Sequence, residues 1–330
     1  MTVQMTIIGL GQIGASIGLA LAEQKNKIIC LGFDADSAIE HQASKMKAVE
    51  KIISNLPKAV ENSDLVLLAL PVNGLREMLE IIAPKLKEGA VVLDVAPAKE
   101  AMINWTQELL PAGRYYVGLS PAINADYLEE HGLSLKVAHR DLFRKGLVGI
   151  VTPPGIPPAA IRLATDLVNL LGAEHLFFDA VEVDSLMAAV HLLPQLAGAA
   201  LLDATVRQPG WHEARKLTGR AYADATGPLF LFGGPDGLAE VAVLSSKHIL
   251  RVLDNLIEAL QDYRAEIQDG QVEPLREHLR KAYTDRLSWW AQRQKGSWLT
   301  EEIASHSELP TSSQMFRQLW GGVRKPKAKP

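Results

Sequence analysis

Apolar positions follow two rhythms along this chain, and the rhythm changes near residue 179. Before that point, short and almost unbroken apolar runs recur: MTIIGL (5–10), KIICLGFD (27–34), LVLLALPV (65–72), AVVLDVA (90–96), YYVGLSP (115–121) and LVGIVTP (147–153). Runs of this length without polar alternation predict strands buried on both faces, as in a parallel sheet covered by helices. Between them, ASIGLALAEQ (15–24) and GLREMLEIIAPKLK (74–87) place apolar residues at helical spacing. IPPAAIRLATDLVNLLG (156–172), followed by EHLFFD (174–179), adds one more helix and strand. This alternation predicts a doubly wound α/β domain over 1–179.

Beyond Asp179 no convincing strand follows. Asp179 and Glu182 have the spacing of a capping box, and helices are expected over about 180–208, 236–268 and 271–295, with a shorter one near 300–306. The chain is thus expected to divide into 1–179, a helical domain over 180–296, and an extension with a basic tail over 297–330. KHILRVLDNLIEALQDYRAEI (247–267) keeps its apolar stripe over many turns. Such a helix packs either on a partner subunit or inside its own domain.

Composition narrows the class. With 48% apolar and 22% charged residues in 330, the chain can bury a large core. A net charge of -4 offers no basic stripe, which argues against nucleic acid as a partner. The single cysteine, Cys30, excludes an internal disulfide framework, and the nine histidines show no metal-ligand spacing, so no metal is expected. There is no basic n-region before the first predicted strand, and no unbroken apolar run is expected to cross a bilayer. A cytoplasmic protein without membrane contact is expected.

The chemistry begins at TIIGLGQIGASIGLAL, where Gly9, Gly11 and Gly14 form G-x-G-x-x-G between a predicted strand and helix. Gly9 would make the tight turn, Gly11 would admit a pyrophosphate, and Gly14 would allow close helix–strand packing. The helix N-terminus that follows, with Gln12 and Ile13, would meet the phosphates. Asp34 ends the second predicted strand, twenty residues after Gly14. A carboxylate there accepts ribose hydroxyls and repels a 2′-phosphate, so NAD is the expected cofactor. The first domain is therefore Rossmann-like. Leu70 and Pro71, in ALPV at another strand end, are expected to close over the cofactor.

AAVHLLPQLAGAALLD (188–203) is an apolar helix interrupted by His191, Pro194 and Gln195. An interior proline costs roughly 3 kcal/mol, because it removes a backbone bond and clashes with the preceding turn. On a helical wheel Asp184, Ala188, His191 and Gln195 share a narrow arc, continued by the small Gly198 and Ala199. The plain reading is a kinked core helix with a hydrogen-bonded histidine. Beside a nucleotide site at a domain junction, the stripe reads as a pocket wall.

These pieces, in this order, resemble the prephenate/arogenate dehydrogenase family over most of residues 3–268. The resemblance is carried by GLGQIGASIGLAL, the acid in GFDAD, SDLVLLALPV, GAVVLDVAPAK, YYVGLSP, LFRKGLVGIVTP and EVDSLMAAVHLLPQLAGAAL. It implies a helical domain that dimerises and NAD(P)-dependent oxidative decarboxylation of prephenate to 4-hydroxyphenylpyruvate, on the route to tyrosine. The chain departs from the family where the chemistry lies. Ser120 stands where the family's Gly-x-His-Pro histidine touches the substrate ring hydroxyl. His191, Leu192, Leu193, Pro194 and Gln195 align with Ser-His-Leu-Pro-His. Pro97 replaces the serine of Asp-x-x-Ser-x-Lys, whose Asp94 and Lys99 remain. Gly227 falls at the family's carboxylate-binding arginine.

An unassisted serine is a poor base, and a dicarboxylate favours a fixed guanidinium fork. The candidate catalytic residues are accordingly His191, Ser120, Gln195 and Lys99, with Arg220 or Lys99 as an anion holder. The expected function is a prephenate dehydrogenase-like NAD-dependent oxidoreductase, acting as a homodimer on a small acid. The alternatives are a non-catalytic NAD-binding dimer of the same fold and a dehydrogenase for a different small acid. The segment after 296 is too short for an amino-acid-sensing module, and its Trp298, Phe316 and Trp320 are expected to fold back on the helical domain.

Overall fold

Burial follows the apolar runs. All four residues of β4 (Leu65–Leu68) and all four of β5 (Val91–Asp94) are buried, as central parallel strands require. The computed structural model describes residues 2–296 apart from 25, 131, 133, 231 and 232. The remaining strands are β1 (Val3–Ile8), β2 (Ile28–Phe33), β3 (Lys51–Ile52), β6 (Tyr115–Ala122), β7 (Leu147–Val151) and β8 (Glu174–Phe178). They form one sheet in the order β3-β2-β1-β4-β5-β6-β7-β8. The strands from β3 to β6 are parallel, β7 runs antiparallel to β6, and β8 is parallel to β7. The turn of direction has a simple cause. The described residues of 123–146 carry two 3-10 turns rather than a crossover helix, and an antiparallel neighbour needs no crossover.

Helices α1 (Gln12–Leu21), α2 (Ser37–Lys45), α3 (Leu56–Val60), α4 (Leu75–Ile82), α5 (Lys99–Leu109) and α6 (Pro158–Leu170) cover the sheet. One face buries Met5, Ile7 and Leu93 with Ala164 and Leu167. The other buries Ile8, Val66 and Leu68 with Leu75 and Met102, and this core continues into the second half through Ala188, Leu192, Leu238 and Ile249. The sheet and the later helices therefore share one apolar core.

After β8 every described element is helical: α7 (Ala180–Met187), α8 (Leu193–Val206), α9 (Trp211–Ala214), α10 (Arg220–Thr226), α11 (Gly234–Leu244), α12 (Ser246–Gln268) and α13 (Val272–Lys295). Two expectations change. The helix expected over 236–268 breaks at Ser245 into α11 and α12. The kink expected at Pro194 is instead a π turn over Ala188–Leu192, closed by the Leu193 N–H donating to Ala188 O. Pro194 then falls in the first turn of α8, where its missing N–H costs little.

The proline is thus absorbed, and Ala180–Val206 is one 27-residue helical run whose most apolar 18-residue stretch has a mean hydropathy of 1.6. By length and composition alone that run could cross a membrane, contrary to the sequence expectation. Its inner side is committed to the protein, however, through Asp184 and Gln195. The short helix expected near 300–306, Trp298, Phe316 and Trp320 lie outside the described residues.

Candidate active site

A cleft of about 330 Å³ opens where β1, β2, β4 and β5 end, the place where open α/β sheets take ligands. Its first wall is the β1–α1 turn. Gly9 has φ +91°, and a Cβ there would lie 2.4 Å from Ala69 O. A Cβ on Gly14 would lie 1.9 Å from Gly9 O. No larger residue fits either position, so the backbone of the turn stays bare at the cleft. Gly11 is the N-cap of α1 and supplies no side-chain cap, which leaves the first N–H groups of the helix available to an anion.

Gly11, Gln12 and Ile13 line this wall, while Gly14 packs behind it. The Gln12 amide donates to Val137 O at 3.1 Å and ties residues 123–146 to the turn. Asp34 lines the cleft at the end of β2. Its carboxylate accepts the N–H of Leu10 at 2.8 Å and of Asp36 at 2.9 Å. Each oxygen keeps a lone pair for a hydroxyl donor. A bare helix N-terminus and an oriented carboxylate fit the phosphates and ribose of a dinucleotide. Leu70 and Pro71 form the next stretch of wall, and α11 closes over them with Gly237, Leu238 and Val241.

The opposite wall is the π turn and the start of α8, which contribute His191, Leu192 and Gln195. His191 keeps part of its surface at the cleft, yet burial pushes its imidazole down to about 4. It is therefore neutral near pH 7. Gln195 is 1% exposed, and its Nε2 donates to His191 O at 2.8 Å. Its Oε1 is buried without a hydrogen-bond partner.

Lys99 and Ser120 do not line this cleft. Lys99 is 0% exposed, with Nζ 2.9 Å from both Asp94 carboxylate oxygens. Tyr116 donates its hydroxyl to Asp94 Oδ1 at 2.6 Å. Burial pushes the Lys99 ammonium down against the pull of Asp94, and burial followed by the Asp94 charge pushes the Tyr116 phenol well up. A lysine consumed in this way holds Asp94 rather than a substrate. Ser120 pairs with Gly149 across the β6–β7 register, and its Oγ is buried without a partner.

Asp184, counted in the polar stripe, also leaves the cleft. Its carboxylate accepts the N–H groups of Lys99 at 2.6 Å and Glu100 at 2.9 Å, capping α5 from 85 residues away. Burial pushes its carboxyl up, opposed by those two N–H groups. Arg220 is exposed at the start of α10 and does not reach the cleft, nor does Gly227. Among the described residues no lysine or arginine lines it. Sequence reasoning missed two wall segments: Val95–Pro97 after β5, and α11. The signal for α11 was GGPDG (233–237), where two left-handed glycines precede a proline in the first helical turn.

Residues 17–176 match the family model for the nucleotide-binding domain of prephenate dehydrogenase. A cyclohexadienyl dehydrogenase of Zymomonas mobilis is 25% identical over 86% of this chain and 95% of its own length. The chain is similar to the prephenate/arogenate dehydrogenase family. A prephenate dehydrogenase of Bacillus subtilis is 21% identical over 88% of this chain and 77% of its own. Among solved structures, a prephenate dehydrogenase from A. aeolicus, in complex with hydroxyphenyl propionate and NAD+, superposes with a TM-score of 0.76. It covers 87% of this chain and 98% of that one, at 18% identity, and so speaks to the fold. The family match begins after the glycine turn, so Gly9, Gly11 and Gly14 rest on geometry.

Proposed function

We propose that this chain is an NAD-dependent dehydrogenase that oxidatively decarboxylates prephenate, or a close cyclohexadienyl acid, to 4-hydroxyphenylpyruvate. The observation that carries the reading is a single cleft joining the bare glycine turn and Asp34 on one wall to His191 and Gln195 on the other. Bound NAD supplies the hydride acceptor. Gly11 and the α1 N-terminus would hold its phosphates, and Asp34 its ribose. Gly9, Gly14, Leu70 and Pro71 would shape the channel, with Gln12 and Ile13 beside the phosphates.

At the substrate end the neutral His191 imidazole would accept the ring-hydroxyl proton as the carbon beneath gives up hydride. The apolar Leu192, Leu238 and Val241 would keep water from that step. Loss of carbon dioxide then completes aromatisation. Lys99 and Ser120 act outside the cleft in this reading. Lys99 fixes Asp94, and with it the cleft wall at Val95–Pro97.

The same reading makes the molecule a cytoplasmic homodimer joined through the helical half, with the boundary between halves between residues 179 and 180. What supports the dimer is unusual apolar exposure. Val190 is 71% exposed on the π turn, Ile257 and Leu260 are at least half exposed on α12, and Tyr283 is 66% exposed on α13. The membrane-length run Ala180–Val206 contributes to this face, and a second copy would cover it.

The test is NADH formation by purified protein with NAD and prephenate, with NADP and arogenate in parallel. Turnover with NAD and either acid sustains the reading. A chain that binds NAD by calorimetry but turns over neither acid is a non-catalytic NAD-binding dimer or acts on another acid.

A further inference from the structure

Gln195 is a buried amide with one end assigned and the other open. Its Nε2 donates to His191 O at 2.8 Å. That bond fixes which end of the amide is which. Turning the group over would set Oε1 against a carbonyl oxygen, and two acceptors repel. The open end is therefore an acceptor, buried in a residue that is 1% exposed and without a hydrogen-bond partner. A buried acceptor left unpaired is destabilising, so such groups in a built site mark a ligand contact. Gln195 lines the cofactor cleft, where no lysine or arginine among the described residues could serve it instead.

We propose that Gln195 Oε1 receives a hydrogen bond from a ligand N–H or O–H and so orients that ligand along the helix wall. The ligand that suits it is a neutral or cationic donor. A carboxylate at that position would face an oxygen and find no positive partner on the wall, because burial keeps His191 neutral near pH 7. Two sources carry this chemistry in the reading given above, on which the inference rests: the carboxamide N–H of the nicotinamide, or the hydroxyl of the cyclohexadienyl acid. The π turn matters here because it sets His191 O where the Gln195 amide can bind it.

The experiment is calorimetric and needs no turnover, so it can fail independently of the proposed reaction. Wild-type protein and Gln195→Leu are titrated with two ligand pairs, each differing by one donor. The first pair is NAD and its 3-acetylpyridine analogue, which lacks the carboxamide N–H. The second is 3-(4-hydroxyphenyl)propionate and 3-phenylpropionate, in the presence of NAD. In the wild type, the member bearing the donor is expected to bind about tenfold more tightly in one pair. In Gln195→Leu that preference is expected to vanish.

Loss of discrimination in the first pair assigns the donor to the cofactor; loss in the second assigns it to the substrate hydroxyl. Equal wild-type affinities within both pairs overturn the proposal. So does the same discrimination in wild type and variant. The wild-type arm alone can overturn it, so a Gln195→Leu chain that fails to fold does not protect the idea.

Discussion

Two groups of buried polar residues lie on either side of the wall at Val95–Pro97, and they differ in one respect. The first is closed: Asp94, Lys99, Tyr116 and Asp184 satisfy one another and the N-terminus of α5. The second is open: His191 and Gln195 share a cleft with the glycine turn, and Gln195 keeps an acceptor without a partner. Both groups are polar and both are buried, so neither property separates structure from function. Satisfaction does. A closed network has no capacity left for a ligand, whereas an open one is completed by it. On sequence alone Lys99 and His191 looked like equal candidates, and the geometry puts them on opposite sides of this distinction.

Breaking the closed network should have the largest effect. Lys99→Met leaves Asp94 as an uncompensated buried charge, a loss expected to be about 3–5 kcal/mol of stability by denaturant unfolding. The double variant Asp94→Asn/Lys99→Met should recover part of it, because removing both charges is far less costly than removing one. A Lys99→Met chain as stable as the wild type, yet inactive, would return Lys99 to the chemistry.

The open network should show itself through pH. The folded imidazole of His191 titrates near 4 and the unfolded one near 6.5, so between those values the unfolded chain binds more protons. Stability should therefore fall as pH drops from 6.5 towards 4, by up to about 3 kcal/mol from this group. His191→Asn should flatten that segment of the profile. An identical slope in wild type and His191→Asn would show that the histidine is not held neutral.

Smaller effects sharpen the cofactor end and the outer face. Asp34→Ala should weaken NAD binding about tenfold and narrow the gap between NAD and NADP, read by calorimetry. Ile257→Glu, on the exposed face of α12, should halve the mass measured by light scattering without loss of helicity. An unchanged mass would move the dimer contact elsewhere or remove it.

Much of this was legible in the sequence, for physical reasons that also mark its limits. Central strands reveal themselves because both their faces are buried, and β4 and β5 matched their apolar runs. The two-residue β3 left no such trace. Gly9, Gly14 and Asp34 were readable because their roles are backbone roles: a bare turn and a carboxylate at a strand end. Side-chain partnerships were not readable. Asp184 caps α5 across 85 residues, and no local pattern announces a cap donated from another helix. The π turn escaped for a related reason. Pro194 predicts a disturbance, but whether a helix kinks or rewinds depends on what His191 and Gln195 can bind.

The most direct test of the role of His191 compares wild type with His191→Ala in two assays: NADH formation with prephenate, and NAD affinity by calorimetry. Turnover by the wild type, loss of most of that turnover in the variant, and the same NAD affinity in both are expected. Turnover unchanged by His191→Ala would contradict that role, because the open wall of the cleft would then play no part in the reaction.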